Sequence, residues 1–321
     1  MSKESQPLFQ FSDIDVVYTL NKKRFFAVQN ISLQGFVGKT LGIVGESGCG
    51  KSTLAKTLLA IQKPSKGAIF FNGHNLHALS QKELRNIRKE MQPVFQDPDA
   101  ALNPRMTISD QLKEGMRAHK IFPSCEFDER VTHLLEMVQL PADFAQRYPF
   151  QLSGGQKQRI CIARALSVQP KLIVCDEPLS SLDVSVRLQI VALLQKLQQE
   201  YNIAYLFITH DLTTLKLLAH SIAVLYLGEL VEFADTFSLY TNPLHPYTQA
   251  LLSAIPIPDP KKERSRSRIV LNGDIPSPLN PPSGCPFHTR CPRKMAICEK
   301  QKPQLKEVNG QLVACHLYSS P

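Results

Sequence analysis

The sequence predicts an α/β fold: a parallel sheet covered on both faces by helices, with a helical insertion in its middle and a small cysteine-bearing domain at the end. Three observations carry this. The runs TLGIVG (40–45), KLIVCDEP (171–178) and AYLFITHD (204–211) are short, apolar and closed by glycine or acid. A strand covered on both faces has no polar side to show, so they read as buried parallel strands. Helical spacing lies between them, at 51–61 and again through Val186, Ile190, Leu193 and Leu197. After Ala254 the composition changes: 11 of the 23 prolines fall in 256–321.

Taken in order, FQFSDIDVVYT (9–19) alternates in part, as a strand with one open face does. GAIFFNG (67–73) is a strand closed by a turn signal, and MQPVFQ (91–96) is another. From about 98 to 165 the pattern is mainly helical. KKERSRSR (261–268) reads as a linker, which places a boundary near 255 between domains 1–255 and 256–321.

Lysine plus arginine minus aspartate plus glutamate is 37 − 28 = +9, and +6 of that (11 basic, 5 acidic) lies in 256–321. The bland reading is a solvated basic tail rather than a nucleic-acid or lipid surface. MSKESQPLFQ is polar, unlike a secretory signal, and no apolar run approaches the ~20 residues that span a bilayer. A cytosolic chain with membrane contact only through partners is expected, with its eight cysteines reduced or metal-bound.

GESGCGKS, Gly45 to Ser52, fits G-x-x-x-x-G-K-[ST] between a buried strand and a helix. Backbone N–H groups of Gly45, Ser47, Gly48, Cys49, Gly50 and onward to Thr53 can curl around phosphates at a helix N-terminus. Lys51 can reach the β- and γ-phosphates, and Ser52 offers a hydroxyl to Mg²⁺. In LIVCDEP, Asp176 ends an apolar strand and suits Mg²⁺, while Glu177 beside it suits a general base. LSGGQ (152–156) makes a second anion-binding helix start with Ser153 as N-cap. That surplus suggests a nucleotide held by another subunit. Gln96 closes a strand in VFQDP, where its amide can touch Mg²⁺ and water, and His210 closes another in ITHD.

The phosphate loop, Gln96, LSGGQ, DEP, SSLD (180–183) and His210 together resemble, in order and spacing, the ATP-binding cassette family over ~8–255. The resemblance implies a P-loop NTPase with a RecA-like core, an N-terminal antiparallel β subdomain and a helical signature subdomain. It makes Tyr18 the aromatic that stacks on adenine, with Phe25 and Phe26 as rivals. Ser153, Gly154, Gly155 and Gln156 then grip ATP bound on the opposite subunit. Gln96 senses the γ-phosphate, Glu177 is the catalytic base, Asp183 is a cross-dimer contact, and His210 positions water and γ-phosphate. A soluble relative acting on DNA or the ribosome is the rival class. One cassette, no coiled coil, and only 102 residues between Lys51 and Ser153 argue against it.

VFQDPDAALNPRMTI, NPLHPYTQALLSAIPIPDP and SPLNPPSGCPFHTRC resemble, more narrowly, the oligopeptide/dipeptide permease ATPases, above all their F-type subunits. This implies oligopeptide import, a heterodimer with a paralogous D-type ATPase, two transmembrane permease subunits and an extracytoplasmic peptide-binding protein. It also implies a peripheral location on the cytoplasmic side of the plasma (inner) membrane and no nucleic-acid partner. Dipeptides, nickel and antimicrobial peptides are the alternative cargoes.

Cys285, Cys291, Cys298 and Cys315 have the spacing C-x5-C-x6-C-x16-C. It lacks the tight C-x2–4-C pair usual in structural zinc, although His288 and His316 could substitute. Four spread thiolates suit a [4Fe–4S] cluster, which the resemblance also implies for some members. Zinc and free thiols on a docking tail stay open, as does a redox-responsive tail. Cys161 and Cys175 read as core. Cys49, beside Lys51 at a helix N-terminus, reads as a favoured thiolate whose alkylation blocks the site.

Overall fold

The computed structural model describes residues 6–256, 259 and 268–318. All but Arg268 of the expected linker lies outside these residues. The strands are β1 Phe9–Leu20, β2 Lys23–Gly35, β3 Thr40–Val44, β4 Lys66–Phe71, β5 His74–Asn75, β6 Met91–Val94, β7 Leu172–Asp176, β8 Ala204–Ile208, β9 Ser221–Tyr226, β10 Glu229–Asp235, β11 Lys306–Val308 and β12 Gln311–Val313. Among the described residues they form two sheets, ordered β2-β1-β4-β5 and β11-β12-β10-β9-β3-β8-β7-β6. The first is antiparallel. In the second, β9, β3, β8, β7 and β6 run parallel, and β10, β12 and β11 are added antiparallel at one edge.

The apolar runs are strands because both faces of the main sheet are covered. Along β8, Tyr205 and Phe207 enter one core while Ala204, Leu206 and Ile208 enter another. Alternate side chains of one strand point to opposite faces, so a strand between two cores must be apolar throughout. The first core is shared with the helical insertion: α4 Ile108–His119, α5 Phe127–Met137 and α6 Gly154–Leu166. Helices α7 Val184–Tyr201 and α8 Leu212–Leu218 complete that layer. The second core holds α1 Lys51–Leu58 and the inner face of the antiparallel sheet, through Phe9, Phe11, Ile14 and Val16. Between Phe11 and Ile14 the register slips where Asp13 adopts φ 49°. The bulge returns Ile14 and Val16 to the buried face, which is why this strand alternates only in part.

The C-terminal residues build onto this body. Strand β12 pairs with β10, and Cys285, Phe287 and Cys298 join the first core. Just before them, α10 Pro246–Ser253 begins at His245, whose Nδ1 accepts the Tyr247 N–H at 3.1 Å. Complete burial pushes the His245 imidazole down to about 3, so the ring is neutral in the fold. An unfolded chain takes up that proton near pH 6.5. Stability from this group is therefore complete above about 6.5 and lost as pH falls toward 3. Between pH 7 and pH 5 the wild type should lose about 2 kcal/mol more than His245→Asn, whose amide oxygen can still accept from Tyr247. Urea unfolding at the two pH values measures this, and equal losses would acquit His245.

Candidate active site

The phosphate loop spans 45–50, between β3 and α1. At Gly50 φ is 100°, and an added Cβ would meet the Ala27 carbonyl oxygen at 2.2 Å. Strand β2 of the antiparallel sheet thus crosses directly over the loop, and only glycine fits beneath it. Lys51, 5% exposed, donates from Nζ to the carbonyls of Gly45 (2.8 Å) and Glu46 (3.0 Å). The same nitrogen lies 3.9 Å from Glu177 Oε1.

An open cleft of about 400 Å³ lies over the loop. Its walls include Ser47, Gly48, Gly50, Lys51, Ser52 and Thr53 from the loop and helix. Gln96, Glu177, Tyr18 and Phe25 line it as well. The two rings stand 6.0 Å apart, while Phe26 is not among the residues lining the cleft. Ser52 Oγ donates to Asp176 Oδ1 at 2.9 Å. Burial raises the Asp176 carboxyl, Glu177 beside it adds to the rise, and the Ser52 hydrogen bond opposes it. His210 Nδ1 sits 3.1 Å from Glu177 Oε2. Glu177 itself has φ 47°, and its N–H donates to the Ile208 carbonyl at 2.9 Å. A left-handed non-glycine residue costs about 1–3 kcal/mol and is characteristic of functional sites. Here the conformation turns the carboxylate toward both His210 and Lys51.

The signature residues are not in this cleft. Ser153 caps α6, its Oγ accepting the Gln156 N–H at 3.4 Å while its own N–H donates to Gln156 Oε1 at 2.9 Å. Gly155 packs against the first turn of α7, where a Cβ would meet Val186 Cγ1 at 2.5 Å. Asp183 caps α7 by accepting from Val186 N–H (2.9 Å) and the Ser185 hydroxyl (2.7 Å), which hold its carboxyl below the usual range. Ser153, Gly154 and Asp183 are exposed, so this second helix start faces outward beside Asp183.

Cys49 departs from the thiolate expected of it. Its side chain is 3% exposed within the second core, and burial raises the thiol despite Lys51 Nζ at 3.9 Å. Desolvation outweighs the neighbouring cation, so the thiol is protonated and shielded from alkylation. Cys161 and Cys175 are core residues with raised thiols, the first pushed up to about 11.

The four C-terminal cysteines converge. Cys285 N–H donates to the Cys298 carbonyl at 2.8 Å. Burial pushes the Cys285 thiol up to about 12, and Cys298, Cys315 and Cys291 add to the rise. Cys315 is likewise pushed up to about 11 by burial, with Cys291 and Cys298 contributing. Among the described residues, however, no three His, Cys, Asp or Glu side chains could together hold a metal ion. His288 Nδ1 donates to the Cys285 carbonyl and His316 Nε2 to that of Gln301, so each ring has one nitrogen committed elsewhere.

Sequence reading missed what grips Glu46. Its N–H donates to the Tyr247 hydroxyl at 2.9 Å, and its carboxylate pairs with Arg290, 244 residues away. No local pattern announces a pair so distant.

A family model for ABC transporters matches residues 28–180, and one for the oligopeptide/dipeptide transporter C-terminal region matches 231–298. The chain is 50% identical to the oligopeptide transport ATP-binding protein AppF of Bacillus subtilis, over 91% of this chain and 90% of that one. It is 43% identical to the corresponding OppF of Haemophilus influenzae over 98% of each. Among solved structures, the dimeric ATP-binding cassette MJ0796 bound to ADP and Pi matches with TM-score 0.65 at 28% identity, over 71% of this chain and 98% of that one. The cbiO1 subunit from Clostridium perfringens, part of the cbiONQ ABC transporter, matches with TM-score 0.67 at 27% identity, over 74% and 92%. With identity this high along its full length, the chain belongs to the ATP-binding cassette family of transporter ATPases.

Proposed function

We propose that the chain hydrolyses ATP to power import of oligopeptides, as one of two ATPase subunits beneath a pair of permease subunits fed by a peptide-binding protein. The observation that carries the substrate class is the match of 231–298 to the oligopeptide/dipeptide transporter C-terminal region, joined to 43% identity with OppF along the whole chain. The second ATPase is read as a paralogous D-type subunit. Among the described residues no helix is long and apolar enough to cross a membrane, which agrees with attachment to the cytoplasmic side of the inner membrane through the permease.

In this reading Tyr18 and Phe25 take the base, and the loop N–H groups of 45 and 47–53, with Lys51, take the phosphates. Mg²⁺ would be held by Ser52 Oγ and the Asp176 carboxylate with Gln96 at the cleft wall, and when bound it would offset phosphate charge. Glu177 accepts the proton of the attacking water, and His210 orients that water and the carboxylate. Water's oxygen bonds to the γ-phosphorus as the bond to the bridging oxygen breaks, giving ADP and phosphate. Because Ser153, Gly154 and Asp183 are exposed and lie outside the cleft, they and their neighbours Gly155 and Gln156 serve the ATP of the partner subunit, as two cassettes close face to face.

We also read Cys285, Cys291, Cys298 and Cys315 as ligands of a [4Fe–4S] cluster, which would supply a cross-link wider than one ion. The support for this is the open spacing, which lacks the tight C-x2–4-C pair usual in structural zinc and suits a larger body. The division near 255 belongs to this reading. ATP-driven uptake by proteoliposomes holding the complete transporter tests the substrate. Uptake of tri- to hexapeptides supports it, and uptake of dipeptides or nickel alone overturns it. Iron, sulphide and zinc analysis of anaerobically purified protein tests the cluster.

A further inference from the structure

Glu46, the second residue of the phosphate loop, is held by Lys51 at the end of the same loop and by two distant parts of the chain. Its carbonyl accepts from Lys51 Nζ (3.0 Å), and its N–H donates to the Tyr247 hydroxyl (2.9 Å). Its carboxylate receives both ends of the Arg290 guanidinium, Nη1 to Oε2 at 2.7 Å and Nη2 to Oε1 at 3.1 Å. The Arg290 side chain is 8% exposed and that of Glu46 21%. Arg290 lies between Cys285 and Cys291 in sequence, and its N–H donates to the Phe287 carbonyl at 3.0 Å.

Phe287 in turn stacks edge-on against Tyr226 (5.2 Å) and tilts against Tyr247 (5.3 Å). Tyr226 and Tyr247 themselves meet at 4.8 Å. The phosphate loop, the aromatic trio and the cysteine-bearing turn are therefore one packed unit. A two-pronged guanidinium–carboxylate pair fixes orientation as well as distance. It cannot be half removed without leaving a charge in poorly solvated surroundings.

The geometry points to Arg290 as a positioning residue for ATP: the cysteine-bearing segment sets the shape of the phosphate loop through Glu46. With no nucleotide, Lys51 braces the loop by donating to two of its carbonyls. Phosphates recruit Lys51 away from them. Besides the Cys49 N–H within the loop, which donates to the Glu46 carbonyl at 3.3 Å, Arg290 and Tyr247 are the contacts that do not depend on Lys51, and they tie Glu46 to the rest of the fold as the lysine turns. Without Arg290 the loop has to be ordered by ATP itself, and apparent affinity falls by the fraction of molecules with a competent loop. This inference uses the ATPase assignment but not the cluster.

The test is steady-state ATPase kinetics of the complete transporter, with equilibrium ATP binding to the full-length chain. Arg290→Met should raise KM and Kd for ATP about tenfold, the scale of one charged hydrogen-bonded contact, with kcat within about twofold. Arg290→Lys, which keeps the charge but not the two-pronged contact, should recover part of the loss. Glu46→Gln should match Arg290→Met, and the double variant should be no worse than either single one, since both remove one interaction. A lowered melting temperature with unchanged KM and Kd, or multiplying effects in the double variant, would overturn the proposal. If Arg290→Met fails to fold, Glu46→Gln and Arg290→Lys decide by the same readouts.

Discussion

Glu177→Gln should lower ATP turnover by about 10²- to 10⁴-fold, the range contributed by a positioned general base, while ATP still binds. The substitution is nearly isosteric and leaves the backbone N–H bond to Ile208 untouched. What it removes is the only strong proton acceptor that both lines the cleft and stands beside His210 and Lys51 among the described residues. ATP then accumulates in the closed dimer because the step that reopens it has stopped. Turnover in the assembled complex, with sedimentation in ATP, reads both effects. Activity within about threefold of wild type would remove Glu177 from the role of base.

Lys51→Met should weaken ATP binding by about 10²-fold or more, since it deletes a preorganised cation in a partly dry site. The consequence is double. Bound phosphates lose a charge partner, and in the empty protein the carbonyls of Gly45 and Glu46 lose the donor they share. The Glu46 carbonyl keeps the Cys49 N–H at 3.3 Å, but the Gly45 carbonyl loses a buried partner, a cost of about 1–3 kcal/mol, so the nucleotide-free variant should also melt earlier. Isothermal titration with ATP gives the first effect and thermal melting the second. Unchanged affinity with lost turnover would instead confine Lys51 to the transition state.

The half of this cleft formed by the phosphate loop and the acidic strand end was legible because its motifs are local. Lys51 and Ser52 follow one strand and Asp176 and Glu177 another, and each strand is recognisable by being apolar throughout. The parallel sheet then had to bring those strand ends together. Less of the periphery could be read. Strand β2 carries Lys23, Arg24, Phe25 and Phe26 at its exposed start, so it lacks the alternation of a half-buried strand. The hairpin of β9 and β10 turns at Leu227 and Gly228, both with positive φ, and glycine was the available cue. The side-chain direction of Cys49 could not be read either. Position within a motif suggests a reactive thiol, but which way the Sγ points is decided by packing against Gly45 and the second core. Charge pairs such as Glu46–Arg290 leave no periodic trace at all.

The main sheet ends at β6 on one side and β11 on the other. Pro93 interrupts the first border by withholding an N–H, and the second is three residues long with Lys306 and Glu307 exposed. Both borders are poor templates for a foreign strand. The protection on the β11 side arrives last in synthesis. Until residue 313 clears the ribosome, β10 offers unpaired N–H and C=O groups in an otherwise complete cassette. A nascent chain is therefore most exposed to sticking to its neighbours during the interval in which the cysteine-bearing segment is being translated, and prematurely terminated products carry that hazard permanently.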